Sequence, residues 1–455
     1  MNRRMRKWMI LGGWLCVWQI LSLLCNNSIV IVGPLETAEA FVKVGLQEQF
    51  WETLSSSFVR ISVGLLLGLV VGVVLAVVSY RYQLAEEICQ PVMTLFKTIP
   101  VASFTVLLLI WWGTSCLAMG ISFLVVLPQI YINTLAGLKD ADPQLLEMAK
   151  VYRVPAWNSF FYIYRPALRP FLESGLKIAI GMAWKAGIAA EVIGPPNHSI
   201  GERLYLSKIY LNTADVLAWT AMAILLSVVT EKLVIRLLEH FWKWEPVCHR
   251  PGSVKGLSSH KVTKGAICLV IEKLCKRYGK EVIINNLNQV YRTGEIYYFS
   301  TPSGSGKTTL FRLLAGLEKP NSGNIERNGS TVLMFQEDRL CRDYSAVKNV
   351  ELVTGDAQAA RQALMELLPG QVLDQPVSEL SGGMCRRVAL VRAMEAEGRC
   401  CLLDEPFTGL DDESAKRAAM YIAERGREKA VLIATHNGAA FPENYSKTKY
   451  KEGMG

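Results

Sequence analysis

The sequence predicts two architectures joined end to end: an all-α membrane domain of six helices, followed by an α/β domain. Three observations carry this. Long apolar runs fill the chain up to about Leu238, and after about Ala266 the composition becomes that of a soluble α/β domain. In the second half a strand and a Gly-rich turn lead directly into a helix, at Ser303-Gly304-Ser305-Gly306-Lys307. At 455 residues the chain is too long for one ordinary core. The mean hydropathy of +0.23 averages over the two halves. The reading divides the chain into a membrane domain at 1–244, a linker at 245–265 and the α/β domain at 266–455.

Charge and cysteine content narrow the class. The formal charge is +9, yet the basic residues gather beside apolar runs instead of forming a tract. That is the cytoplasmic bias of membrane proteins, so nucleic acid is not a partner. The 11 cysteines are scattered with no CxxC pair. They read as reduced thiols facing a cytosol, not as a disulfide framework.

The first apolar run, Trp8 to Leu24, follows a basic start. Leu24 precedes Cys25 where a lipoprotein signal needs a small residue, and further spans follow, so a retained membrane helix is expected. The remaining spans are Ile61 to Val78, Val92 to Trp112, Cys116 to Ile132, Leu172 to Ile193 and Val216 to Leu238. Lys97 lies in the third, and Glu173, Lys177, Lys185 and Glu191 lie in the fifth. Polar groups in a span are expected to face the bundle interior or a wet cavity. With the N-terminus inside, six crossings put Arg81, Lys139, Lys150, Arg165 and Arg169 inside, against Lys43, Arg60, Arg203 and Lys208 outside. The bias has the right sign and leaves the α/β half in the cytosol. Gly64, Gly68, Gly72 and Ala76 place a small residue at every fourth position, a stripe for close helix packing.

Between Leu135 and Pro170 the pattern changes. Asp142-Pro143 is a helix start, with a side-chain acceptor at the cap and Pro at the first helical position. A helix from Gln144 to Val151 ends before Pro155. A second short helix would show Trp157, Phe160, Phe161 and Tyr164 on one face, with Pro166 and Pro170 closing it. Two such helices can simply lie on a membrane surface. The order Glu147-Met148-Ala149, Tyr152-Arg153, Arg165-Pro166 and Pro170 resembles the EAA loop of ABC importer permeases. That resemblance implies a coupling helix seated on an ATPase, through Glu147, Ala149, Arg153 and Pro166. Arg153 stands where the family has Gly at a tight turn, and Met148 replaces Ala. Trp184-Lys185, Ala190 to Gly194 and Ser199-Ile200-Gly201 look like the nitrate, sulfonate and taurine branch.

From Glu245 to Gly265 the chain reads as a flexible tether. Ile267 to Ile271 and Ile296 to Phe299 then read as strands. The second leads into Thr301-Pro302-Ser303-Gly304-Ser305-Gly306-Lys307-Thr308-Thr309. Small residues let backbone N–H groups turn onto phosphate oxygens, and the helix presents its positive end to them. Lys307 supplies a point charge and the Thr308 hydroxyl a metal ligand. Thr301 stands at the first glycine's place, and a negative φ is expected there.

Further along come Gln336 at the end of the strand Thr331 to Phe335, and Leu380-Ser381-Gly382-Gly383-Met384 before a helix. Cys400 to Glu405 is a buried strand ending in two acids, Leu410-Asp411 follows, and the strand Ala430 to Thr435 ends at His436. Taken singly, Gln336 and His436 read as surface polar residues, Tyr278 as core packing, and Ser381 to Gly383 as a plain helix cap. Two acids ending a buried strand invite a metal or proton-transfer role. In this order they resemble the Q-loop, signature, Walker B, D-loop and H-switch of an ABC ATPase, with Tyr278 where the family stacks adenine.

The resemblance implies ATP and Mg²⁺ as cofactors. ATP would lie between Lys307 of one copy and Ser381-Gly382-Gly383 of another in a homodimer. Asp404, Thr308 and Gln336 would serve the metal, Glu405 the attacking water and His436 the γ phosphate. It also implies an extracytoplasmic solute-binding protein, a lipid-embedded location and import of a small solute, with small anions suggested by the branch. A half-exporter and a non-transporting ATP-driven complex are the alternative readings.

Overall fold

Glycine decides how closely the membrane helices approach. The computed structural model describes residues 3–25, 27, 29–244, 248, 265–299 and 305–435. It comprises two units, Met1–Asp140 with Ala167–Glu245, and Ala141–Pro166 with Pro246–Gly455. The first contains α1 (Arg3–Cys25), α2 (Pro34–Gly45), α3 (Phe50–Arg81), α4 (Gln83–Thr98), α5 (Val101–Trp112) and α6 (Leu117–Lys139). After α7 (Pro143–Val151) and α8 (Ala156–Ser159), which belong to the second unit, come α9 (Arg165–Ile193), α10 (Ile200–Ile209) and α11 (Thr213–Lys243).

The small-residue stripe of α3 is buried against α6. A Cβ at Gly64 would stand 2.2 Å from the Met119 carbonyl oxygen, one at Gly68 2.8 Å from Val126, and one at Gly72 3.1 Å from Ile130. At Gly64 and Gly68 a larger residue would force the helices apart, and at Gly72 it would press on Ile130. α1, α3 and α6 are each long and apolar enough to cross a bilayer alone. The third span departs from the single run expected at Val92 to Trp112. Helices α4 and α5 meet at a 102° bend, because Pro100 cannot continue α4 and holds Ile99 in extended backbone at φ −64°, ψ 132°. The fifth span also differs. Pro166 and Pro170 do not close a helix but lie in the first turns of α9, directly behind a π turn at Phe160–Tyr164.

Of the charges in α9, Glu191 faces the interior. Ser57 Oγ donates to its carboxylate at 2.8 Å and the Gly201 N–H at 3.2 Å, while the Ile200 N–H donates to Ser57 Oγ at 2.9 Å. This ties the Ser199-Ile200-Gly201 run, the N-terminus of α10, to α3 and α9. Lys177 and Lys185 are exposed on the single chain.

The second unit is built on β1 (Ile267–Tyr278), β2 (Glu281–Arg292), β3 (Ile296–Phe299), α12 (Lys307–Leu314), β4 (Ser322–Arg327), β5 (Thr331–Met334), α13 (Ala346–Thr354) and α14 (Ala357–Met365). It ends with α15 (Gly382–Glu395), β6 (Cys400–Asp404), α16 (Asp412–Arg425) and β7 (Ala430–Ala434). An antiparallel sheet runs β2-β1-β4 and a parallel sheet β3-β7-β6-β5. Every residue of the four parallel strands is buried, which is why they read as continuous apolar runs. The antiparallel strands alternate with charge, and sequence reading found only the start of β1.

Replacing Gly64 with Ala is expected to destabilise the protein by about 1–3 kcal/mol through overpacking against α6. Gly45→Ala, where a Cβ meets nothing within 4 Å, should stay within about 0.5 kcal/mol. Thermal melts of the two variants in detergent compare them; equal melting would show that α3 and α6 are not in close contact.

Candidate nucleotide site and coupling elbow

The parallel sheet delivers the candidate residues to the ends of its strands. Gly306 caps α12 in left-handed backbone at φ 85°, and a Cβ there would come within 2.6 Å of Ile283, so glycine is required. Lys307 opens the helix and is buried. Burial lowers its pKa, opposed by the nearby Glu405 and Asp404 carboxylates. Thr308 Oγ1 donates to Asp404 Oδ2 at 2.8 Å. Asp404 ends β6, and burial pushes its carboxyl pKa up, with the Thr308 hydrogen bond pulling the other way. Glu405 follows at φ 52°, its N–H donating to the Ala434 carbonyl at 2.8 Å. Strained backbone at a strand end turns this acid away from the strand path.

Two hard oxygen donors in direct contact, a hydroxyl and a carboxylate, fit a small divalent cation that completes its shell with phosphate and water. Among the described residues no group of three His, Cys, Asp or Glu side chains forms a metal cage. Ser303, Gly304, Thr301 and His436 lie outside the described residues. Ser305 is half-buried next to Gly306.

Tyr278 ends β1. Its hydroxyl donates to Glu318 and interacts with Thr309, and the Lys276 ammonium sits 4.9 Å from its ring centre. Gln336 follows β5 with its side chain exposed. Ser381 caps α15, accepting from the Met384 N–H, and together with Gly382 it is exposed, with Gly383 half-buried. Asp411 caps α16, accepting from the Ser414 N–H at 2.8 Å.

Arg386 was missed by sequence reading. Its buried guanidinium donates to the carbonyls of Phe335 (3.0 Å), Gln336 (2.9 Å) and Glu405 (2.7 Å), and to the Asp338 carboxylate (2.9 Å). One side chain of α15 thus pins the ends of β5 and β6, where Gln336 and Glu405 sit. The only signal was a charged residue on the buried face of a helix.

Residues 141–166 form an elbow within this unit. Asp142 accepts from the Gln144 N–H at 2.8 Å, capping α7 as expected. At the other end Arg153 takes φ 54° and the Val154 N–H donates back to the Ala149 carbonyl at 2.8 Å, a helix stop that favours glycine. Arg153 therefore adopts the tight turn expected of the glycine it replaces. Met148, Ala149, Val151 and Tyr152 are buried, so the elbow packs on protein and does not lie free.

Tyr152 donates to the Leu333 carbonyl of β5 at 2.9 Å, and burial pushes its pKa up to about 12. Glu147 accepts from Arg312 at 2.9 and 3.2 Å and from Arg339 at 2.8 Å. The Arg312 hydrogen bonds hold its carboxyl below the usual range, against the opposing effect of burial. Arg312 lies on α12 and also donates to Glu318 at 2.7 Å.

The aromatic face expected after Pro155 is only partly found. Through the π turn Phe161, Tyr162 and Ile163 become buried, while Trp157 and Phe160 are exposed. One residue per π turn shifts the helical face. Arg165 donates to the Tyr344 hydroxyl at 3.1 Å, Cys248 of the tether is buried with its sulfur 3.2 Å from the Tyr162 hydroxyl, and Pro166 is half-buried.

Residues 284–408 match the family model described as ABC transporter, and residues 64–241 that described as binding-protein-dependent transport system inner membrane component. The aliphatic sulfonates import ATP-binding protein SsuB 1 of Rhodococcus jostii (strain RHA1) is 39% identical over 178 residues, covering 35% of this chain and 69% of that protein. The Nod factor export ATP-binding protein I of Burkholderia orbicola (strain AU 1054) is 36% identical over 184 residues, 35% of this chain and 60% of that protein. A solved dimeric post-hydrolysis state of the ATP-binding cassette MJ0796, bound to ADP and Pi, is similar over 37% of this chain and 88% of that chain, at 24% identity and TM-score 0.34.

Two substitutions test the local energetics. Arg153→Gly should stabilise the folded elbow by about 1 kcal/mol by relieving left-handed strain, and an unchanged or lower melting temperature would count against that strain. A carboxyl whose pKa is raised on folding holds its proton more tightly in the folded state. Ionised Asp404 therefore subtracts from stability at neutral pH, and the loss is recovered as pH falls through the raised pKa. Asp404→Asn should accordingly raise the melting temperature by about 2–4 °C without nucleotide at pH 7. The gain should shrink toward pH 4; a pH-independent difference would contradict it.

Proposed function

This chain belongs to the ABC transporters, carrying an inner-membrane permease and its ATPase in one polypeptide, and on that premise we propose that it imports a small anion, working as a homodimer. The ATPase couples nucleotide hydrolysis to transport. The observation that carries the reading is that α12 has Lys307 and Thr308 at its first turn, against Asp404, and Arg312 farther along, gripping Glu147 of the elbow. One short helix thus touches both the nucleotide site and the coupling loop.

In this mechanism Lys307 and the α12 N-terminus bind the phosphates. Thr308 and Asp404 would hold Mg²⁺, which when bound neutralises charge on the phosphate oxygens. Glu405 orients the attacking water and accepts its proton, with Gln336 and His436 completing the site. Tyr278 stacks on the base. Ser381, Gly382 and Gly383 of a second copy close over the nucleotide, in a two-fold arrangement. Closure and reopening move the elbow, through Glu147, and with it the membrane helices. The N-terminus and ATPase would lie in the cytoplasm, and a solute-binding protein outside would deliver the cargo.

Import, rather than export, is supported by the permease match, whose description names binding-protein-dependent transport. A sulfonate, taurine or nitrate-like cargo is supported by the relative named for aliphatic sulfonate import. Reconstituted Glu405→Gln should bind ATP with near-normal affinity yet hydrolyse it at least about 100-fold more slowly. Glu147→Ala should keep ATP binding but alter turnover in lipid. Near-normal hydrolysis by the first, or wild-type behaviour of the second, would remove those roles.

A further inference from the structure

One charged feature of the membrane unit is not used by any of these roles. In α9, Leu176, Ala179, Ile180, Ala183 and Trp184 pack into the helix core. Lys177, Gly181 and Lys185 lie outside that face and are exposed, together with Ile178 and Met182, and a Cβ at Gly181 would meet nothing within 4 Å. Eight residues separate the lysines, about 12 Å along the helix axis. With Glu173, Lys177, Lys185 and Glu191, α9 is not among the described helices apolar enough to cross a bilayer alone. As the fifth span of the proposed permease, residues 172–193 would put Lys185 about 4 Å from the middle of a hydrocarbon layer about 30 Å thick. From there a four-carbon stem cannot reach either surface.

Neither lysine has an ion-pair partner among the described residues. The acids of α9 are already engaged: Glu173 with Arg169 at 2.9 Å, and Glu191 with Ser57 and the Gly201 N–H. An ammonium at that depth facing lipid is strongly disfavoured, and in membrane helices such groups face the bundle interior or a water-filled cavity. Neither lysine is turned into the interior of its own copy.

We propose that Lys177 and Lys185 line a water-filled anion path formed where the α9 faces of two copies of this chain oppose each other. The proposal rests on the transport reading above and assigns the cargo's charge to particular side chains. Two-fold symmetry places four ammonium groups along the path. Lysine presents a compact, hydrated point charge instead of a bidentate fork, so it attracts an oxyanion such as a sulfonate without holding it tightly. A path needs that combination, because an ion bound too well does not leave.

The test uses Lys185→Cys in the full-length chain, reconstituted in lipid. Two water-borne thiol reagents of opposite charge are compared: 2-sulfonatoethyl methanethiosulfonate and 2-(trimethylammonio)ethyl methanethiosulfonate. Labelling at residue 185 is read by peptide mass spectrometry and normalised to the rates with free cysteine. The sulfonate reagent should react at least about ten-fold faster than the ammonium one, and adding Lys177→Gln should bring the ratio close to one. If Lys185→Cys does not fold, Lys177→Cys with Lys185→Gln as the added change serves in its place. No labelling by either reagent would put this face against lipid or packed protein, and equal labelling would remove the anion preference. Either result overturns the proposal. ATP turnover by the unsubstituted chain, measured in parallel, separates the two claims: normal turnover with either result sinks the path alone, whereas absent turnover sinks the transport reading itself.

Discussion

The structure depends on the double grip on Glu147. A single carboxylate that is partly desolvated by packing is tolerable only if its lone pairs are filled, and here two guanidiniums fill them. Arg312 does so from α12, five residues beyond Lys307, a separation of about 7.5 Å along a helix. A helix of this length is stiff, so any displacement of its first turn by phosphate is felt at Arg312. The same guanidinium is held by Glu318, which also accepts from Tyr278. The elbow, the P-loop helix and the candidate base-stacking residue therefore share one hydrogen-bonded chain.

A second set of contacts runs through α15. Arg386 pins the strand ends that carry Gln336 and Glu405. Arg392, six residues later, donates to the carbonyls of Asp338 and Arg339 at 2.8 Å each and lies 5.2 Å from the Tyr152 ring. The helix that follows Ser381-Gly382-Gly383 thus supports both the site and the loop that grips Glu147. Arginine suits this work because its planar fork satisfies several carbonyls at once without losing its charge when buried.

Much of this was legible in the sequence. Caps are local, so Asp142 and Ser381 could be read from neighbours in the chain, whereas the tight turn at Arg153 was expected only from the glycine of the resembled family. Buried parallel strands are local too, being apolar on both faces, and β3, β5, β6 and β7 were found within a residue or so. What escaped depends on residues distant in sequence. Arg312 and Arg339 are 165 and 192 positions from Glu147, and nothing in the pattern around them marks a partner. The π turn shifted the aromatic face because periodicity assumes an unbroken ladder. Pro100 was visible in the sequence, yet hydropathy alone ran the third span through it.

Several groups at the site sit in unfavourable surroundings. Asp404 is held as a carboxylate where burial opposes its charge, Lys307 where burial opposes its own, and Glu405 in left-handed backbone. Each is a cost carried by the fold and offset elsewhere, as at many functional sites. Phosphate beside Lys307 and a divalent cation beside Asp404 would add to the favourable charge that neighbouring groups already supply to each. Ser381 and Gly382, by contrast, are exposed at the start of α15, which Ser381 caps through the Met384 N–H. In the proposed homodimer the strained half-site of one copy would meet the exposed start of α15 of the other, so a γ phosphate would gain most when the second copy closes on it. That difference in binding energy between open and closed states is what can be spent on moving the elbow.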